Sequence, residues 1–143
     1  MRHWLVKSEP DAFSWDQQVA NGVEPWTGVR NAVAARNLRE MALGDRAFFY
    51  HSNIGKEIVG VVEVVRTAYQ DPTDDTGRWV CVDVKALGPV PRKVTLAEIK
   101  ADPRLAELAL VRQSRLSVMP VGAEHWAILC GMAGWKDEAS RAA

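Results

Sequence analysis

His51 and Ser52 place a base and a hydroxyl side by side in the stretch FFYHSN, so nucleophilic chemistry is the first possibility to weigh. Neighbours on a strand point to opposite faces, and no G-x-S-x-G elbow surrounds Ser52, Ser114 or Ser117, which argues against a serine nucleophile. A metal centre fares worse. His3, His51 and His125 lie far apart with no H-E-x-x-H spacing, and neither Cys81 nor Cys130 neighbours any of them. Asp71, Asp74 and Asp75 lack the glycine and terminal glutamate of a calcium loop and read as a solvated turn. Neither a P-loop nor a G-x-G-x-x-G fingerprint occurs, so the expectation is no metal and no cofactor.

Binding chemistry is better represented. In PWTGVRN, Trp26 offers a flat aromatic face beside Thr27, Gly28, Arg30 and Asn31. Three further groups of polar residues fall at strand ends or loops: Lys7 with Ser8; Tyr50, His51, Ser52 and Asn53; and Gln113 to Ser117, which includes Arg115. Singly, each has an ordinary structural reading: Asn31 as a helix cap, Tyr50 as a strand aromatic, Arg115 as a surface ion-pair partner, Trp26 as a lid on the core. Together, amide, hydroxyl and cationic groups around one tryptophan describe a polar-lined aromatic pocket suited to a flat heterocycle.

The elements that must position these residues follow from periodicity and capping. His3 to Lys7 reads as a strand with Trp4 and Val6 on one face. Ser14 to Gln17 has capping-box spacing and opens a short helix. Ala32 to Ala42 carries the stripe Ala34, Leu38, Met41, Ala42, with Asn31 as N-cap and Gly44 placed to terminate it. Arg46 to His51 and Glu57 to Tyr69 form a hairpin joined by SNIGK, with Gly60 marking a bulge or a close backbone approach. Trp79 to Leu87 alternates as a further strand. A second capping box at Thr95 to Glu98 opens a helix that Pro103 interrupts and restarts, Ser114 to Met119 reads as a last strand, and Gly122 to Gly131 as a helix with Trp126 and Leu129 inward. Trp135 is placed to pin the end of the chain. About five strands and several short helices in irregular order give an α+β fold, with a curved or closed sheet rather than a doubly wound one.

Composition sets the outer limits. The 143 residues suit a single domain, here 1–135, followed by an Ala- and charge-rich tail, 136–143, expected to fray. Basic and acidic residues number 18 each, so no global field draws the chain to nucleic acid or to an anionic membrane, and any such binding is local. Cys81 and Cys130 sit in apolar patterns and read as reduced, buried thiols of a cytoplasmic protein. With neither a signal-like N-terminus nor an apolar run long enough to span a bilayer, no membrane partner is expected, and a monomer is the default.

At this point a resemblance enters. KSEP (Lys7 to Pro10), W-x-G-V-R-N (Trp26 to Asn31), A-R-N-L-x-x-M-x-x-G-D (Ala35 to Asp45), FFYHSN (Phe48 to Asn53), Val59-Gly60, Y-x-D-P (Tyr69 to Pro72) and RQSRLSVMPV (Arg112 to Val121) together resemble the EVE domain. The likeness runs from about Trp4 to Gly134, nearly the whole chain. It implies a PUA-like fold, a small mixed-strand barrel of about five strands with short helices around it. It also implies kinship with the YTH domain, whose first strand likewise ends in Lys-Ser and whose pocket tryptophan precedes a small hydroxyl residue. YTH domains read methylated adenine in RNA, and SRA domains of the same superfamily hold a flipped methylcytosine.

From the resemblance, this chain is expected to be a non-enzymatic binder of nucleic acid carrying a modified base: modified cytosine in DNA first, a modified RNA base second. Trp26 is expected to stack on the base. The backbone of Thr27 and the side chains of Ser8, Asn31 and Ser52 serve its edge, and Tyr50, His51, Asn53 and Ser117 complete the pocket. Lys7, Arg30 and Arg115 suit phosphate, because cations position a backbone without reading it. About two or three phosphate contacts on a neutral chain give a shallow salt dependence. The competing reading is an enzyme or accessory factor acting on a nucleotide or a modified RNA base, with His51 as its base. A PUA-like binder of another small ligand and a protein adaptor also stay open.

Overall fold

β1 (His3–Ser8) is buried on both faces at Trp4, Leu5 and Val6, so it runs through the middle of the fold and cannot be an edge. The computed structural model describes residues 1–137. In chain order β1 is followed by α1 (Trp15–Asn21), β2 (Val23–Pro25), α2 (Ala32–Glu40), β3 (Arg46–His51), β4 (Glu57–Gln70) and β5 (Val80–Thr95). Then come α3 (Leu96–Ala101), a 3₁₀ turn (Pro103–Leu105), α4 (Ala109–Arg112), β6 (Val118–Val121) and α5 (Ala123–Ala133). The strands form one six-stranded sheet in the order β2-β5-β4-β3-β1-β6. Only β1 and β3 pair in parallel; the other neighbours are antiparallel.

The α+β class therefore stands, with two corrections. Among the described residues there are six strands, and in its hydrogen bonding their sheet is open: β2 and β6 are its two ends, so the closed barrel is not seen. Register shifts interrupt both the β3–β4 and β4–β5 ladders, and such bulges bend and twist the strands that carry them. Gly60 lies at one of them. A Cβ there would come within 2.5 Å of the Trp15 ring, so only glycine lets α1 pack against β4.

The capping signals behave as local chemistry demands. Ser14 and Thr95 each accept from the backbone N–H three residues on, and Gln17 and Glu98 reciprocate. Asn31 caps α2 by accepting from the Ala34 N–H at 3.0 Å. Other boundaries differ from expectation. Helix α2 stops at Glu40 with Met41 as C-cap, which leaves Ala42 exposed outside the stripe and Gly44 in the turn into β3. Here the Asp45 carboxylate accepts from the Ala42 N–H and from the Trp4 indole, and this local turn ends the helix. Strand β5 runs on to Thr95, because β4 is long enough to pair it throughout. Residues 114–117 are turn rather than strand, and β6 begins at Val118, where β1 becomes available as a partner.

At the C-terminus Trp135 is buried against Gly88. The Asp137 carboxylate accepts from the Trp126 indole at 2.7 Å and pairs with Arg46 at 3.4 Å. The tail expected to fray from residue 136 is thus still attached at Asp137; residues 138–143 lie outside the described range. Cys81 and Cys130 are both buried and free, with burial pushing the Cys130 thiol up to about 12. Among the described residues no helix is long and apolar enough to cross a membrane.

Candidate nucleic-acid interface

Because β1 and β3 run parallel, their C-terminal ends reach the same rim, the usual place for a binding crevice beside parallel strands. Lys7 lies opposite Tyr50 and Ser8 opposite His51 in this register. Alternation sends Lys7 and Tyr50 to one face and Ser8 and His51 to the other. The rim is tied together by backbone bonds: Ser52 N–H donates to Ser8 C=O at 3.0 Å, and Lys7 N–H donates to Ser117 C=O at 2.9 Å.

One hollow of about 340 Å³ opens beside Trp26. Lys7, Ser8, Phe13, Glu24, Trp26 and Thr27 contribute to its walls, with Ala12 and Pro25 between them. Trp26 lines the hollow yet is only 7% exposed, so most of it is packed into the core. Its ring stands nearly perpendicular to those of Phe13 at 6.1 Å and Phe49 at 5.5 Å between centroids, and Phe49 in turn packs against Trp15 at 5.3 Å. Such edge-to-face packing fixes the plane of the indole in advance of any ligand. Trp26 N–H donates to Val82 C=O and Thr27 N–H to Pro25 C=O, so the Thr27 amide expected at a base edge is already engaged. Ser8 donates its hydroxyl proton to Phe13 C=O at 2.5 Å and keeps acceptor capacity toward the hollow.

The remaining expected residues do not all join this wall. Tyr50, Ser52 and Asn53 line a second hollow of about 250 Å³, whose other walls include Lys7, Lys56, Lys100 and Ser114. Asn31 and Arg115 face a third, about 350 Å³, on the far side of the α4–β6 turn. Asn31 is therefore a helix cap here and lies outside the Trp26 hollow. Ser117 takes part through its backbone carbonyl and lines none of these three. His51 is turned to structural use: its Nε2 accepts from the Trp15 N–H at 3.0 Å, and it borders neither the Trp26 hollow nor the second one. Burial lowers its pKa below the ordinary imidazole value, in keeping with a neutral acceptor.

Arg30 was expected at a phosphate and is engaged elsewhere. Its guanidinium donates to the Asp71 carboxylate at 3.1 Å and to Thr73 Oγ1 at 3.0 Å. The turn is exposed at Asp75 and most of its other residues, as a solvated turn would be, but the Asp71 side chain is fully buried, and Asp74 nearly so. Burial alone would raise the Asp71 carboxyl, but bonds from Thr73, the Gly28 N–H and Arg30 outweigh it and hold it at about 2. Gly28 donates to Asp71 at 2.8 Å from a left-handed backbone (φ +83°), a conformation costly for any residue with a Cβ. The loop carrying Trp26 is thus anchored at its far end by a buried carboxylate some forty residues away.

Sequence reasoning missed Glu24 and Phe13 at the first hollow, and Lys56 and Lys100 at the second. Glu24 sits two residues before Trp26 on β2, a three-residue strand that pairs with β5 and that the sequence pattern did not disclose. Burial pushes the Tyr50 hydroxyl up to about 12, with Glu57 adding to the effect, so it stays a protonated donor. The Lys7 ammonium donates to Ser114 C=O at 2.8 Å, and burial lowers its pKa. A larger hollow of about 510 Å³ on α5 is lined by Ala127, Ile128, Gly131, Met132 and Arg104, whose guanidinium is paired with Asp102, and it has no aromatic wall on which a base could stack. Among the described residues, no cluster of His, Cys, Asp and Glu could hold a metal ion.

Comparison with known proteins gives a consistent result. The family model described as the EVE domain matches residues 2–132. Human thymocyte nuclear protein 1 is 33% identical over 158 aligned positions, spanning 87% of this chain and 70% of that protein. An NMR structure of a protein from Rhodopseudomonas palustris is 57% identical, with a TM-score of 0.90 and 97% of each chain covered. The crystal structure of human THYN1 in complex with DNA containing 5-methylcytosine is 30% identical, with a TM-score of 0.87, covering 96% of this chain and 100% of that one.

Proposed function

The chain belongs to the EVE domain family, and from that premise we propose that it is a non-enzymatic module that binds DNA by taking a modified cytosine into the Trp26 hollow. The observation that carries this reading is a single base-scale cavity lined by one fixed aromatic residue, Trp26, together with Ser8, Lys7 and Glu24. The relative solved with 5-methylcytosine-containing DNA supports the same ligand class.

Each wall has a task in this proposal. Swinging a base out of its stack costs a few kcal/mol, and stacking on Trp26 returns about 1–3 kcal/mol. Glu24 accepts from the cytosine N4 amino group, the one donor on that base's major-groove edge, while its other oxygen keeps the bond from Asn21 at 2.9 Å. Ser8 contributes an acceptor, and Phe13 and Pro25 enclose a 5-methyl group, whose burial is worth about 0.8 kcal/mol. Lys7 meets phosphate at the mouth. The occupied Nε2 of His51 supports a binder over an enzyme, since His51 is the base that the competing reading names. The two free, buried thiols support a cytoplasmic setting.

Titrating the protein with otherwise identical oligonucleotides carrying cytosine or 5-methylcytosine tests this. The modified strand should bind more tightly, Glu24→Gln should weaken cytosine-containing strands by roughly fivefold to a hundredfold, and Trp26→Phe should weaken both while the protein stays folded. Equal affinity for modified and unmodified strands, unmoved by either substitution, would defeat the proposal.

A further inference from the structure

We propose that the second hollow, walled by Lys7, Lys56 and Lys100, is a phosphate site that holds the backbone of the same strand whose base occupies the Trp26 hollow; this rests on the base-binding reading above. Three lysines line one hollow of about 250 Å³ in a chain whose formal net charge is zero, so their meeting is not a by-product of a basic composition. Tyr50, Ser52, Asn53 and Ser114 add polar groups to the same wall, and no carboxylate lines it among the described residues. Glu57 follows Lys56 in sequence without joining the wall.

The backbone points the same way. Asn53 and Lys56 are the only non-glycine residues with positive φ among those described, at +67° and +49°, and both line this hollow. A left-handed lysine is a strained choice, and strain of this kind collects where a side chain has a task. The Lys56 carbonyl accepts from the Leu96 N–H at 2.8 Å, which moors the loop to α3. Leu96 and Lys100 are one helical turn apart and share a face, so Lys100 is brought to the same hollow as Lys56. The Lys7 ammonium is held by Ser114 C=O with two N–H groups left over.

Lys7 also explains why the ligand is a strand and not a free anion. It lines both hollows, so a phosphate held by the three lysines abuts the mouth through which a flipped base enters. Arg30 is committed to Asp71 and Arg115 lines a different hollow, and in this proposal the trio supplies the two or three backbone contacts expected of the domain.

The test is the salt dependence of oligonucleotide binding by the full chain, wild type against the double variant Lys56→Gln/Lys100→Gln, with Lys7 left intact because it also walls the base hollow. The slope of log affinity against log salt should fall by about 1.4 units on single strands and about 1.8 on duplex. The affinity ratio between 5-methylcytosine and cytosine strands should not change, and Lys56→Arg/Lys100→Arg should keep the wild-type slope. An unchanged slope with the ratio intact overturns the phosphate site and leaves the base reading standing. A wild-type ratio of one overturns the base reading and this proposal with it. If inorganic phosphate binds in a manner abolished by the double Gln variant while the oligonucleotide slope is unmoved, the site takes free phosphate, and the strand assignment is overturned.

Discussion

The two hollows that share Lys7 are made of different material. The one beside Trp26 is cut into the hydrophobic core: its aromatic wall is 7% exposed and continues through Phe49 to Trp15. Its neighbour is built on the exposed hairpin loop between β3 and β4 and on one face of α3. Reading a base requires a rigid plane and fixed hydrogen-bond partners, which only packed residues provide. Holding a phosphate requires charge within reach, which exposed lysines provide without engaging the core. In the first region binding and stability are therefore the same interactions, and in the second they are separable.

The largest expected effect exploits that contrast. Trp26→Ala should cost about 3–5 kcal/mol of stability in urea unfolding, as for other buried tryptophans, whereas Lys56→Gln should stay within about 0.5 kcal/mol. Comparable losses from the two would erase the distinction. Gly60→Ala is the next in size. Its methyl would strike the Trp15 ring, so a destabilisation of about 1–3 kcal/mol is expected. The disturbance should pass along Trp15, Phe49 and Trp26, lowering the preference for modified cytosine while the salt slope stays put.

Acid provides a graded version of the same comparison. Asp71 and Asp74 are held at about 2 in the fold, below their ordinary value of 3.8. The unfolded chain binds protons more readily, so their contribution is present above about pH 4 and is lost as pH falls toward 2. Urea unfolding at stepped pH should show this loss, and Asp71→Asn should flatten it. The carboxylate anchors Gly28 and Arg30, so base preference should decline before the lysine loop is affected. The smallest effect is that of Lys100→Gln alone: a slope reduced by about 0.7–0.9 units with an unchanged unfolding midpoint.

Much of the scaffold is written locally. The capping residues Ser14, Asn31 and Thr95 each act within four residues of themselves, and the β-branched run into β4 and the glycine at position 60 carry their own signatures. What stayed hidden depends on partners distant in the chain. Strand β2 is three residues ending in proline and exists because β5 pairs with it, and Glu24 was hidden with it. The DPTDDTG turn has the composition of a solvated loop, yet Asp71 is buried because Gly28 and Arg30, more than forty residues earlier, reach it. Trp26, Ser8 and Thr27 line one hollow, while Asn31, Tyr50, Ser52 and Asn53 line others. Residue type showed which side chains could bind; only topology distributes them among separate walls.

Strand β1 also carries a consequence for how the protein is made. Among the described strands it is the first to be synthesised, before either of its hydrogen-bonding neighbours: β3 arrives at residue 46 and β6 only at residue 118. Trp4, Leu5 and Val6 wait with both flanks open until β3 arrives, and the flank that β6 covers stays open until residue 118. Pairing across such distances closes late, since the loop entropy has to be met before the ladder rewards it. Lys7 and Ser8 end this strand, so the rim that would hold nucleic acid is completed only when nearly all of the domain has been synthesised.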